Sequence, residues 1–271
     1  MIIPSDNVSE LKLDNHDIHL WITKPQNMRQ ADILARYKSI LNEEELKKQN
    51  SYIFAEKRHN ALITRAFVRD LLSHYMAIHP SHWQFKAGSH GKPEIVNPLL
   101  PLRFNLSHTD DLIICAVTLN DDIGCDVEIV YRNCGFLSIA ESYFSQEEFS
   151  DLLDTPENDQ RNRFFDYWTL KESYIKTCGS GLSIPLTDFS FQIGSSRMQH
   201  KNDNIQLSFS AKRFDSAQFW RNWLFYPNEK HRIAVSIRGK YNNQTRQSRF
   251  RYFENTPLLE TTELSDLSFH S

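Results

Sequence analysis

The sequence predicts an α+β protein of two lobes, each a small sheet packed with helices. Two observations predict it. Stretches with helical period and short runs rich in β-branched residues occur together in each half of the chain. The length, 271 residues, suits one large domain or two of half that size, and 40 % apolar with 24 % charged residues is ordinary globular composition.

The elements follow in order. His19–Thr23 reads as a short strand, and Arg29–Leu41 and Glu43–Lys48 as helix. Glu56–Met76 is a stronger helix, with Leu62, Phe67, Leu71 and Tyr75 recurring near the helical period. It also carries Arg58, Arg65 and Arg69, whose spacings of seven and four let them share one face. Pro80-Ser81 ends the pattern, and a loop runs through Gly88–Pro93 and Pro98–Pro101. Arg103–Leu106 reads as a strand ending at Ser107-His108. Leu112–Leu119 is a near-continuous apolar run, the pattern of a buried strand. Asn120-Asp121-Asp122 has turn chemistry, which predicts a hairpin with Ile123–Val130.

Leu137–Phe144 reads as helix. Ser145 and Glu148 form a capping-box pattern that opens another, to Leu153. A polar loop at 154–160 precedes a helix over Asn162–Thr177, with Phe165, Trp168 and Ile175 near one face and Gly179-Ser180-Gly181 closing it. Phe189–Ile193, Ile205–Ser210, Trp220–Tyr226 and Arg232–Ile237 read as strands of a second sheet. Residues 240–271 have no clear period and read as an extension or flexible tail.

Composition excludes some classes. The net charge of −3 gives no bulk attraction for nucleic acid, so any anion site is local. Cys115, Cys125, Cys134 and Cys178 form no CxxC pair and no zinc-ligand spacing, as expected of reduced thiols in a cytoplasmic protein. The first basic residue is Lys12, and the longest apolar run is Leu112–Val117, so neither a targeting segment nor a membrane span is expected.

Four constellations could carry chemistry. Asp126 and Glu128 lie two apart on a strand, so both carboxylates leave the same face. They fit either a solvated edge or two oxygen ligands of a hard divalent cation. Glu172 and Lys176 are helical neighbours: a surface ion pair, or a third carboxylate with a phosphate partner. In Asn105-Leu-Ser-His108 the adjacent Ser107 and His108 point opposite ways, which argues against a nucleophilic dyad and leaves both as donors to an anion. Gly91-Lys92-Pro93 suits phosphate contact or a plain exposed turn.

The order of these pieces is more specific than any one of them. GKP, NLSH, GCDVE, FSQEEF, WTLKESYIK and GSGLSIPL, in that order over residues 55–190, resemble the 4′-phosphopantetheinyl transferases, specifically their larger, two-lobed Sfp-type branch. The resemblance implies similar-sized pseudo-symmetric lobes, 1–122 and 123–240, and the extension 241–271 has no counterpart in it. It implies Mg²⁺ on Asp126, Glu128 and Glu172, holding the pyrophosphate of coenzyme A, the substrate. Lys176 and His108 would act at the phosphates, with Ser107 beside them. Lys92 would line the coenzyme A cleft, and Arg58 would meet the 3′-phosphate, with Arg65 and Arg69 as open choices. Glu148 matches a Glu proposed as the base for the acceptor serine, and it is equally the third residue of the capping box. Cys125 and Glu94 stand where aliphatic or hydrophobic residues are usual.

The implied reaction moves the phosphopantetheine arm onto a serine of an acyl or peptidyl carrier protein and releases adenosine 3′,5′-bisphosphate. Carrier domains of polyketide, nonribosomal-peptide or polyunsaturated-lipid synthases are the implied partners of a monomeric enzyme, with a surface near Phe136–Leu153 as a docking candidate. The competing readings are a metal-dependent pyrophosphate hydrolase and a non-catalytic binder of coenzyme A or carrier proteins.

Overall fold

The computed structural model describes residues 11–88, 91–96, 98–194, 201–202, 204–240 and 247–268. The remainder of the expected first lobe and extension, and Ser89-His90 of the loop, lie outside the described residues. The first half holds β1 (Asp17–Thr23), α1 (Ala31–Ser39), α2 (Glu43–Asn50), α3 (Ala55–Ser73), β2 (Phe85–Ala87), β3 (Pro93–Ile95), β4 (Leu102–His108), β5 (Ile113–Leu119) and β6 (Asp122–Ile129). Next come α4 (Phe136–Tyr143), α5 (Gln146–Asp154), α6 (Glu157–Cys178), β7 (Phe189–Ile193) and β8 (Lys201–Asn202). The chain closes with β9 (Ile205–Phe209), β10 (Trp220–Phe225), β11 (His231–Arg238), β12 (Arg249–Thr256) and β13 (Glu260–Leu264).

The architecture is α+β, as the pattern predicts. One sheet has the order β13-β12-β1-β5-β4 and the other β6-β11-β10-β8, with β2-β3 and β7-β9 as separate ribbons. The strands explain the layering. In β1, Trp21 faces the core under α3, while Ile18, Leu20 and Ile22 face the second sheet. In β5, Ile113, Cys115 and Val117 take the helix side, and Ile114 and Ala116 the sheet side. Both faces are dry, so these strands read as continuous apolar runs. Ile123, Cys125 and Val127 of β6 meet the first sheet from the other side, with Trp223, Phe225, Ile233 and Val235. A further core beneath α6 gathers Phe164, Phe165, Leu170 and Tyr174 with Phe189 and Leu224.

The expected hairpin of β5 with β6 does not form. β5 is already flanked by β1 and β4, and β6 pairs antiparallel with β11. Asn120, in the left-handed region at φ 65°, turns the chain out of the first sheet and into the second. The apolar faces of the two strands then pack across the lobe boundary.

The expected flexible tail is also corrected within its described residues. β12 pairs in parallel with β1 from Asp17–Arg249 to Ile22–Glu254, and β13 pairs antiparallel with β12. Phe253 stacks on Trp21 at 4.5 Å between ring centroids. The first lobe therefore includes residues from the far end of the chain. α6 also begins earlier than its apolar pattern suggests, since the polar segment from Glu157 supplies its first turn.

Candidate active site

The site forms where two edge strands meet. β4 is the last strand of the first sheet, and β6 the first of the second. Asn105 of β4 joins them: its Oδ1 accepts the backbone N–H of Cys125 at 2.9 Å. On β6 the odd residues enter the core between the sheets, which sends Gly124, Asp126 and Glu128 toward α6. Gly124 sets how near α6 comes. A Cβ there would lie 2.2 Å from Ser173 O and 2.4 Å from Thr177 N. Only glycine allows this approach, which brings Glu172 and Lys176 beside the strand carboxylates.

Asp126 is almost wholly buried, at 4 % exposure. Its Oδ1 accepts from Ser107 Oγ at 2.8 Å and from Lys176 Nζ at 2.6 Å, and Lys176 Nζ also donates to Ser107 Oγ at 2.8 Å. Its Oδ2 is buried without a hydrogen-bond partner. Glu128 Oε1 accepts from Trp168 Nε1 at 3.0 Å, and Oε2 pairs with Arg132 at 3.2 Å. Burial first, then the charge of Asp126, raises the Glu128 pKa to about 7. The same two causes raise Glu172. Burial disfavours the Lys176 ammonium, yet its bond to Asp126 outweighs that and its pKa is raised.

These side chains line one cavity of about 730 Å³ together with His108, Lys57 and Tyr131. The ring of His108 loses hydration against the cleft wall and faces Lys176 and Lys57, which together lower its pKa. Ser107 turns to Asp126, so the pair is no Ser-His dyad, as expected.

Three of the expected site residues are placed elsewhere. Lys92 is half-buried, and its Nζ donates to the backbone oxygens of Ile123 at 2.8 Å and Lys176 at 2.9 Å. It clips the loop of one lobe to the strand and helix of the other and does not line the cleft. Arg58 donates to the carbonyls of Tyr52 at 2.7 Å and Ile53 at 2.8 Å, closing the turn before α3. Glu148 is fully buried. It completes the capping box with Ser145, pairs with Lys171 Nζ at 2.8 Å and accepts from Phe191 N at 2.8 Å. Such a carboxylate cannot meet an incoming serine, so its base role is withdrawn. Arg69 is likewise structural, buried against Glu45 at 2.7 Å.

The sequence reading missed Trp168, Arg132 and Lys57 as cleft residues. Arg132 lies four residues after Glu128, a spacing that could have drawn notice. The tie of Asp111 to Lys230 and to His231 (3.1 Å), which fastens the cleft-rim turn of one lobe to the other, carries no local sequence signal.

The carboxylates suit a hard divalent cation in chemistry, and the orphaned, buried Asp126 Oδ2 fits a ligand role. The ligand set is nevertheless not closed: among the described residues no group of three His, Cys, Asp or Glu side chains stands ready to hold a metal ion. Lys176 and Arg132 occupy the oxygens instead.

Comparison with known proteins decides the family. The model of the 4′-phosphopantetheinyl transferase superfamily matches residues 122–236, and that of the 4′-phosphopantetheinyl transferase N-terminal region matches 27–120. The 4′-phosphopantetheinyl transferase HetI of Nostoc sp. is 32 % identical over 237 residues, covering 84 % of this chain and 91 % of the relative. The chain is a 4′-phosphopantetheinyl transferase of the Sfp type. Sfp of Bacillus subtilis is 35 % identical to this transferase over 175 residues, 64 % of this chain and 75 % of Sfp. The L-aminoadipate-semialdehyde dehydrogenase-phosphopantetheinyl transferase of Rattus norvegicus is 26 % identical over 231 residues, 80 % of this chain and 72 % of its own. Transfer of phosphopantetheine from coenzyme A to a carrier protein is the activity of this family. Among the described residues no helix is long and apolar enough to cross a membrane.

Proposed function

We propose that this transferase moves the phosphopantetheine arm of coenzyme A onto a carrier-protein serine in the cleft between its lobes, with Mg²⁺ as the cofactor. Asp126, Glu128 and Glu172 would hold the ion, and a divalent cation there would supply charge neutralisation for the pyrophosphate. The observation that carries this reading is Asp126, buried with one oxygen on Ser107 and Lys176 and the other without a donor.

The chain's own groups do the rest. Lys176, once off Asp126, presents an ammonium to the phosphates from the same position. His108, kept neutral, offers a ring N–H at the cleft mouth. Lys57 takes the nucleotide-phosphate role first given to Arg58, because it lines the cavity and its partner Asp110 is an exposed one at 3.0 Å. Such a surface pair exchanges readily for a stronger anion. The serine oxygen attacks the phosphorus bearing the arm, its proton passes to water in the cleft, the bond from that phosphorus to the bridging oxygen breaks, and adenosine 3′,5′-bisphosphate leaves. Both cleft walls come from one chain, so a monomer suffices. Carrier domains of polyketide, nonribosomal-peptide or polyunsaturated-lipid synthases are the partners to try.

The test is to weigh each candidate carrier after incubation with the protein, coenzyme A and Mg²⁺. A gain of about 340 Da, lost on carrier Ser→Ala substitution, is the expected result. Free phosphopantetheine with no gain in carrier mass would mean hydrolysis instead.

A further inference from the structure

Glu128 has a side-chain partner on each of its two oxygens. One oxygen takes the indole N–H of Trp168 at 3.0 Å, and the other faces Arg132 at 3.2 Å. A neutral indole can stay while a cation arrives, because an oxygen has room for a donor and an ion. A guanidinium is held less firmly once the cation is there, because two positive charges on one carboxylate repel.

The surroundings of Arg132 suit a movable side chain on a fixed backbone. Its carbonyl accepts from Arg161 on α6 at 3.0 Å, which ties the loop after β6 to that helix. Its side chain is 51 % exposed, and its guanidinium lies over the Phe165 ring, 6.0 Å from the centroid. It lines the same cavity as Lys176, His108 and Lys57.

We propose that Arg132 is an internal counter-ion of Glu128, displaced when a divalent cation binds, and that its released guanidinium then pairs with phosphate in the cleft. The inference rests on the cation role proposed for Asp126 and Glu128. It assigns regulation of that site to a residue outside the ligand set. Without the cation, Arg132 keeps Glu128 from standing as an unpaired buried charge. With it, one positive group takes the carboxylate and another is freed toward the anionic ligand.

The test is Mn²⁺ titration by calorimetry on the wild type, Arg132→Ala and Arg132→Lys, followed by coenzyme A titration at saturating Mn²⁺. Thermal melts confirm that the variants fold. Removing a competing, half-exposed ion pair should tighten Mn²⁺ binding about threefold to fivefold in Arg132→Ala. Coenzyme A binding should weaken about fivefold or more, with Arg132→Lys between the two. In a Glu128→Gln background the Arg132 substitution should change Mn²⁺ affinity much less, by only the part that Arg132 exerts through Glu172. Equal or weaker Mn²⁺ binding by Arg132→Ala overturns the counter-ion role, and unchanged coenzyme A affinity overturns the phosphate role. Neither readout uses transfer. Carrier mass therefore tests the transferase reading separately: it stands if transfer occurs without the Mn²⁺ effect and falls in the reverse case.

Discussion

The two lobes use the same construction and only one of them carries carboxylate chemistry. In each, a long helix lies on a sheet, and a buried cation is locked to a carboxylate and to backbone carbonyls. In the first lobe Arg69 meets Glu45 at 2.7 Å and the carbonyls of Pro80 and Trp83, each at 2.9 Å. In the second, Lys171 meets Glu148 at 2.8 Å and the carbonyls of Leu186 at 2.7 Å and Phe189 at 2.8 Å. The helices differ in how they touch their sheets. α3 packs through Leu62, Ile63, Phe67 and Leu71, whose side chains hold it away from the strands. α6 rests its own backbone on Gly124. That closeness brings helix side chains within reach of strand carboxylates, so the chemistry follows the nearer helix.

The comparison can be broken in several places. The largest effect should come from deleting residues 247–271, which removes both strands beyond β1 and uncovers Trp21. The first lobe should then fail to fold, seen as loss of its cooperative melt. A soluble, cooperatively melting deletion would restore the free-tail reading. Next, Glu148→Gln should cost about 3–5 kcal/mol, because it strands a fully buried ammonium. Glu45 is less enclosed, with 12 % of its side chain exposed, so Glu45→Gln should cost less. Whatever Glu148→Gln protein stays folded should still transfer the arm; a folded but inactive variant would return the base role to Glu148.

Gly124→Ala should cost about 3 kcal/mol and abolish transfer, since its Cβ meets helix backbone, which cannot rotate aside. Ordinary activity at ordinary stability would show that close contact is not what positions Lys176. The smallest effect separates the lobes by pH. His19 is fully buried beside Tyr75, and burial, helped by Arg251, lowers its pKa to about 4. Its unfolded value is near 6.5, so the unfolded chain binds more protons between the two. The stability from neutral His19 is thus present above pH 6.5 and lost as pH falls toward 4, by up to ~3 kcal/mol. His19→Phe should flatten that slope in denaturant titrations, and an unchanged slope would place the acid sensitivity elsewhere.

Local pattern made part of this legible. Period two put Asp126 and Glu128 on one face, and the i,i+4 spacing put Glu172 and Lys176 side by side. The Ser145–Glu148 box opens its helix and the αL residue Gly179, at φ 66°, closes its own, as the sequence suggests. What failed was long-range. Turn residues at 120–122 say that the chain bends, but not whether the next strand joins the same sheet. The period of β12 was hidden because neighbouring side chains are partly buried on both faces. The resemblance implied phosphate or cleft roles for Lys92 and Arg58, because a motif shows a side chain's charge and not its partner. Backbone carbonyls, invisible in sequence, claimed both.

The central claim is that the β6 carboxylates and Glu172 gather on one divalent ion beside coenzyme A. Anomalous diffraction from crystals soaked with Mn²⁺ and coenzyme A tests it most directly. The account predicts one peak within ligand distance, about 2.0–2.3 Å, of oxygens from Asp126, Glu128 and Glu172, with Lys176 moved off Asp126. A cleft that binds coenzyme A without such a peak, and with Lys176 still on Asp126, would contradict it.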